Sequence, residues 1–351
     1  MASPCAGAQF ALVLPFLIEG EFMKSFLPWH RAGVLLMALG GVIAVHAQAQ
    51  VLQFKWGHVY EPASIFHQQA ELAARKIAEQ SDGKIKIEVI PSSRLGQEGD
   101  FPLMLANDSV QIAYVGQATL AEGYPPLSLG TYPFAFKDLD HMRRYLASPL
   151  LAELMKGYNE KSGNRMVASV YYGARQVTSA KPLSRPEDFR DLRLYVPAAA
   201  AYQLFATALD AKPVTLPFMS LYGSLKKNEV EAQENPLDIV KSKKLYEVQK
   251  YVLLTGHVYD TLGIVIGKAA WAKLAPPQQA MVEKVLAETA KWTNVGVIAG
   301  ELEDEKFLRD KGMTVSPANR QLFLERIAKR STPEQMGARP GDYARLQALV
   351  N

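Results

Sequence analysis

Residues 51–91, VLQFKWGHVYEPASIFHQQAELAARKIAEQSDGKIKIEVIP, carry two hydrophobic periods in succession. Leu52, Phe54 and Trp56 alternate with Gln53 and Lys55, the two-residue period of a strand with one buried face. Phe66, Ala70, Ala73 and Ile77 then fall at i, i+4, i+7 and i+11, one face of a helix that Ser81-Asp82-Gly83 closes. Ile85, Ile87 and Val89 return to the strand period until Pro91 stops it. Strand, helix, strand in this order predicts a parallel βαβ unit.

The alternation continues outward. A short helix is expected around Leu103–Asn107 and an apolar strand over Gln111–Val115. Beyond a composition boundary near Tyr171–Lys181 come a strand at Leu192–Val196, a helix from about Ala198, a strand at Val214–Leu216 and a helix from Ser220. The fold class read from this pattern is α/β: two domains joined by crossings near Tyr172 and His257, with a cleft between them where a small ligand would bind. Pro277 to about Lys311 reads as one long helix, with proline at its start and Gly312 just past its end. At about 1.5 Å per residue it would span roughly 50 Å and brace both domains. Its acidic run, Glu301, Glu303, Asp304 and Glu305, reads as a solvated face. Domain I is expected at 50–172 plus about 261–300, and domain II at 173–260 plus about 301–351.

The first fifty residues read as an address. Lys24 and Arg31 flank the apolar run Ala32–Val45, and Ala47 and Ala49 follow in the A-x-A arrangement of a signal-peptidase site. The run is short for a membrane span. We expect residues 1–49 to comprise an N-terminal extension and a cleaved signal peptide, with translation from Met23, a mature chain from near Gln50 and a periplasmic location. The single cysteine, Cys5, would lie in the removed part, so neither disulfides nor thiol chemistry is expected. Glu19, Glu21, Lys24 and Arg31 cancel, which leaves the net charge of +4 on the remainder. That charge is dispersed, with no basic block interleaved with aromatics, so nucleic acid is not an expected partner.

Catalytic motifs are missing. The chain has no H-E-x-x-H, G-x-S-x-G, Walker-type phosphate loop or G-x-G-x-x-G, and no cofactor or metal site is expected. His58, His67, His141 and His257 remain after the expected cleavage, none spaced as a local metal pair. His58 and His257 each follow a strand-ending glycine and are the better cleft candidates; His67 reads as a surface or capping residue on the first helix. Arg175, after Gly173 and Ala174 at the end of the apolar run Met166–Tyr172, is a cation at the mouth of a buried strand and so demands an anion. A ligand carboxylate and a structural Glu or Asp both satisfy that demand. Asn235, before Pro236 at a strand end, offers an amide that can both donate and accept.

Residues 54–98, GARQVTSAKPLSRPEDFRDLRLYVP (173–197), EAQENPLDIV (231–240) and YVLLTGHVYDTLGIVIGKAAWAKL (251–274) together resemble the DctP-type solute-binding proteins of tripartite ATP-independent periplasmic (TRAP) transporters, from about Val51 to Arg330. The resemblance implies a two-domain clamp, not an enzyme, that captures an organic acid and hands it to TRAP membrane subunits. It gives Arg175 the role of a charge-assisted, often bidentate partner of the ligand carboxylate. It also places Glu98, His58, Phe218, Tyr222 and Asn235 near the cleft, although Phe218 and Tyr222, at i and i+4, equally fit a helix core. Members usually carry a second arginine in the x-R-V-P stretch; here that position is Tyr195, and Arg193, on the same strand face, reads as solvated.

A phenol in place of a guanidinium offers one neutral donor and an apolar ring. A small monocarboxylate, hydroxy acid or aromatic acid is therefore expected in preference to a sialic or uronic acid. Two other readings remain open on sequence grounds: a binding protein that serves a sensor or orphan system, and a hydrolase or lyase using Glu98 with a cleft histidine.

Overall fold

The structure, a computed structural model, describes residues 51–350. The expected extension, start, signal peptide and cleavage point lie outside the described residues, as does Cys5. The first part of the chain folds as β1 (Leu52–Gly57), α1 (Ile65–Gln80), β2 (Ile85–Ile90), α2 (Phe101–Ala106), β3 (Ile112–Gly116), α3 (Gln117–Gly123), α4 (Leu139–Leu146) and α5 (Pro149–Ser162). Next come β4 (Arg165–Ser179), β5 (Arg193–Tyr195), α6 (Ala200–Ala208), β6 (Lys212–Val214), α7 (Leu221–Lys226), β7 (Ala232–Pro236) and α8 (Leu237–Ser242). The last part comprises β8 (Tyr251–Leu254), β9 (Tyr259–Ile266), α9 (Lys268–Ala272), α10 (Pro276–Asp310), β10 (Thr314–Pro317), α11 (Arg320–Ala328) and α12 (Asp342–Gln347).

The opening βαβ unit forms as its periods predict. The face Phe66, Ala70, Ala73, Ile77 of α1 is fully buried, and the Ser64 hydroxyl caps the helix by accepting from the Phe66 N–H. Burial of Phe66 and Ile77 alone contributes roughly 1.5–3 kcal/mol each. β1 pairs in parallel with β2 and β3, and β5 in parallel with β6 and β7. The expectation of parallel pairing fails in the middle of the sheet, where β9 and β4 run antiparallel to their neighbours. The strand order is β2-β1-β3-β9-β4-β7-β5-β6, with β8 and β10 added beside the second half of β4. β6 lies at Lys212–Val214 instead of Val214–Leu216 because its register with β5 pairs Lys212, Pro213 and Val214 with Arg193, Leu194 and Tyr195. Pro213 is tolerated there because β6 is an edge strand.

β4 passes through both halves of the molecule. Residues Arg165–Ala174 pair with β9, and Arg175–Ser179 pair with β7 and β8. The change of partner coincides with a bulge between Tyr171 and Gly173, where Gly173 takes φ +120°. A Cβ on Gly173 would also lie 2.8 Å from Cβ of Pro236. The chain returns from β8 to β9 through residues 255–258.

The 35-residue helix α10 spans the two halves. In its first half Thr289 accepts a hydrogen bond from Gln69 of α1; near its end Asp304 pairs with Lys241 of α8 at 2.6 Å, and Leu308 enters a second hydrophobic cluster with Leu221, Val252 and Val315. Its acidic run is not uniformly solvated. Glu301 accepts from the Ala174 N–H at 2.7 Å and the Tyr171 hydroxyl at 2.9 Å, tying the helix to the crossing strand, and Asp304 is buried. The C-terminal segment also departs from its expected place. Residues 342–350 dock on α4 and α5: His141 Nε2 meets the Leu346 carbonyl at 2.8 Å, and Arg345 pairs with Glu153 at 2.8 Å. They therefore pack with the first half, not with residues 173–260.

Contacts also bridge the two halves directly. Lys243, after α8, pairs with Glu61 at 2.9 Å, and the Ser64 hydroxyl donates to Asp238 at 3.3 Å. Burial, reinforced by the nearby Asp304 carboxylate, pushes the Asp238 pKa up to about 6. A carboxyl with a raised folded pKa is destabilising when ionised, so this strain is absent below pH 4 and complete above pH 6. Asp238→Asn should therefore raise the unfolding free energy at pH 7 by about 1–2 kcal/mol, after allowance for solvent screening, and change it little at pH 4. Urea denaturation at the two pH values checks this; an equal effect at both would refute it.

Candidate functional site

A cavity of about 140 Å³ lies where the two halves meet. It sits beyond the carboxyl ends of parallel strands, the position in which open α/β sheets bind ligands: Val59 follows β1, Gly116 ends β3, Tyr195 ends β5, and Asn235 lies near the end of β7. A cavity of about 150 Å³ holds a benzene-sized molecule, so this one suits a small ligand.

Arg175 lines it, and strand register explains its company. Val177 faces Glu234 across the β4–β7 ladder and Gly173 faces Asp260 across the β4–β9 ladder. Arg175, two residues from each, shares their sheet face and reaches both carboxylates diagonally. Glu234 takes the Nε–Nη2 edge of the guanidinium at 2.5 and 2.9 Å, while Nη1 donates to Asp260 at 2.9 Å. Nη2 also reaches the Glu234 carbonyl at 2.9 Å and the Asn235 side-chain oxygen at 3.3 Å. All three ionised side chains are at most 2 % exposed. Arg175 thus has the structural ion pairs that were the alternative to a ligand, and it lines the cavity as well. The fork edge that the resemblance reserved for a carboxylate is held by Glu234; Nη1 is the part of the guanidinium left to face a ligand beside Asp260.

Electrostatics follow from this packing. Burial alone would raise the Glu234 pKa, but Arg175 and the hydrogen bond from His257 hold it below the ordinary carboxylate range. For Asp260 burial prevails over Arg175 and the Tyr202 hydroxyl, and its pKa is raised. Glu98 is likewise raised by burial, against the Thr119 hydroxyl that donates to it at 2.8 Å. Gly116 permits that position, because a Cβ there would fall 2.7 Å from Glu98 Oε1.

Of the residues expected at the site, Arg175, Tyr195, Asn235, Glu98 and Phe218 line the cavity; His58, Tyr222 and His257 do not. His257 lies behind it, stacked 3.7 Å from Phe205, with Nε2 at 3.0 Å from Glu234. His58 is buried against His67, with 3.2 Å between ring nitrogens, and burial lowers its pKa to about 3. His67 is accordingly a partner of His58, not a free surface residue. Tyr222 projects away and donates to Glu247 at 2.7 Å. Arg193 donates to the Asn228 carbonyl at 2.9 Å, outside the cavity.

Sequence reasoning passed over Tyr172, Tyr202 and Asp260, all of which line the cavity. Tyr202 donates to Asp260 at 2.6 Å, and the Arg175 guanidinium carbon lies 4.3 Å from the centroid of its ring. The signal for Asp260 was present: it is a lone acid within the apolar run YDTLGIVI. Among the described residues, no group of three or more His, Cys, Asp or Glu side chains is arranged to hold a metal ion.

Residues 56–332 match the family described as bacterial extracellular solute-binding protein, family 7. The sialic acid-binding periplasmic protein SiaP of Vibrio cholerae is 28% identical over 296 residues, covering 84% of this chain and 91% of that protein. The C4-dicarboxylate-binding periplasmic protein DctP of Shewanella loihica is 25% identical over 318 residues, covering 90% and 89%. Among solved structures, a TRAP periplasmic solute-binding protein of Roseobacter denitrificans with bound L-galactonate superposes with a TM-score of 0.79 at 26% identity, covering 86% of this chain and 99% of that one.

Proposed function

Because the chain belongs to the family 7 bacterial extracellular solute-binding proteins, a family of transporter binding proteins and not of enzymes, we propose that it captures a small carboxylate in the cavity at Arg175 and delivers it to TRAP membrane subunits from the periplasm. The observation that carries this reading is a fully buried guanidinium lining a small, aromatic-walled cavity between two α/β halves. The compounds named for the three relatives, a sialic acid, C4-dicarboxylates and L-galactonate, each contain a carboxylate. Arg175 and Asn235 would hold that group, Tyr195 would donate one neutral hydrogen bond, and Phe218 and Glu98 would bound the rest. The cavity volume and Tyr195 favour an acid smaller than a sialic acid. Among the described residues, no helix is long and apolar enough to cross a membrane. Export would depend on the N-terminal leader read from residues 24–49.

A thermal-shift screen against organic acids tests the reading, since a ligand at one hundred times its Kd stabilises the folded state by about 2.7 kcal/mol. Absence of any carboxylate hit would count against it.

Capture would close the two halves about the crossings at β4 and residues 255–258, with domain I built on β1–β3 and domain II on β5–β7. The Lys243–Glu61 pair is then a closed-state contact. Small-angle scattering should show a smaller radius of gyration with saturating ligand than without it. Lys243→Glu, which sets two like charges together, should enlarge the free protein. Identical radii in all of these states would refute the clamp.

A further inference from the structure

The charge of the cavity suits something other than a plain anion. Of the charged side chains lining it, Arg175 is the sole cation, against Glu98, Glu122 and Asp260. Glu234, immediately behind, already occupies one edge of that guanidinium. Asp260 keeps a share of Arg175, the Tyr202 hydroxyl and the Thr261 N–H. Glu98 has the Thr119 hydroxyl and the Gly116 N–H and, among the described residues, no ion-pair partner. A purely anionic molecule placed here would add like charge to a site short of positive charge, which like-charge repulsion at low dielectric penalises.

The walls supply the complementary chemistry. Tyr172, Tyr195, Tyr202 and Phe218 line the same small space. The ring of Tyr202 already has a cation over it, that of Arg175. Aromatic walls combined with carboxylates are the usual enclosure for an ammonium or quaternary nitrogen.

We propose that the ligand is a small zwitterion, whose carboxylate meets Arg175 and Asn235 and whose cationic nitrogen lies against Asp260 and Glu98 between the tyrosine rings. This rests on the carboxylate-capture reading and narrows it to a class. Burial raises the pKa of both Glu98 and Asp260, and a cation placed against them would draw it back down.

Titration calorimetry with matched pairs tests it: glycine betaine against 3,3-dimethylbutanoate, and L-proline against cyclopentanecarboxylate, with succinate and galactonate as purely anionic references. In at least one pair the zwitterion should bind tenfold or more tightly than its carbon isostere, and more tightly than either reference. Asp260→Asn should reduce that preference at least tenfold. Glu98→Gln should do the same, and keeps the test independent of any folding defect from the loss of the Arg175 partner. If every isostere binds as well as its zwitterion, if no zwitterion binds, or if a reference acid binds most tightly, the inference fails. In those cases acid binding that is lost in Arg175→Ala leaves the carboxylate reading standing, whereas acid binding that survives Arg175→Ala overturns that reading too.

Discussion

Arg175→Ala should weaken ligand capture and lower the unfolding free energy by about 3–5 kcal/mol, because removing one member of a buried ionic network leaves uncompensated charge behind. The charges in question are Glu234 and Asp260, both essentially inaccessible to solvent. The stability deficit should depend on pH in a defined direction. In the wild type, Arg175 holds the Glu234 pKa below its ordinary value, so the contribution is present at neutral pH and is lost as pH falls through the folded pKa. In the variant both carboxyls would rise and take up protons more readily, so the deficit should be largest near pH 7 and narrow toward pH 4. Binding should weaken by about 2–5 kcal/mol, the cost of truncating one partner of a buried charge pair. Arg175→Lys should recover part of both, since an ammonium restores charge without the planar fork that spans Glu234. Urea denaturation at several pH values and calorimetry with the best carboxylate hit check the two effects separately. Unchanged affinity in a folded Arg175→Ala protein would place the anion elsewhere.

Tyr195→Arg should change which acids bind. The tyrosine is 3 % exposed and lines the cavity, so a guanidinium there would lie among Glu98, Asp260 and Asn235. It would supply the second cation that relatives usually carry and offset the surplus of carboxyls. A charge-assisted bond contributes about 1.5–3 kcal/mol, so relative affinity should move toward doubly charged or purely anionic acids by roughly 10- to 150-fold. Ligands whose apolar or cationic part rests on the ring should lose affinity in the same variant. Tyr195→Phe should cost only about 0.5–1.5 kcal/mol, because it removes one neutral hydrogen bond and keeps the ring. Calorimetry with succinate and with a monocarboxylate on both variants measures the shift. An unaltered order of preference in Tyr195→Arg would show that the ring does not touch the ligand.

Much of the cavity was legible because local signals in the sequence mark its residues. Arg175 follows an apolar run and Asn235 precedes a proline, although both prove to be buried within strands, β4 and β7. The histidines misled for the same reason. His58 follows Gly57 at the end of β1 and His257 follows Gly256 in the connection after β8, yet packing turned both inward, onto His67 and onto Phe205 with Glu234. A residue's position at a strand end does not say whether its side chain faces the cavity or the layer behind it.

By itself the sequence determined the alternation of strands and helices, the long helix, the kinship with solute-binding proteins and the need of Arg175 for an anion. Each is a property of local period, turn chemistry or motif, encoded within a few residues. Only the tertiary structure decided which anions Arg175 meets: Glu234, 59 residues away, and Asp260, 85 residues away, brought to its flanks by the antiparallel registers of β7 and β9. It likewise decided that Tyr172 and Tyr202 wall the cavity, that the C-terminal segment returns to α4 and α5, and that part of the acidic run of α10 is buried. Local hydrophobic period specifies which face of an element is buried, but the partner of a buried charge is set by strand order and register, and those arise from segments far apart in the chain packing together.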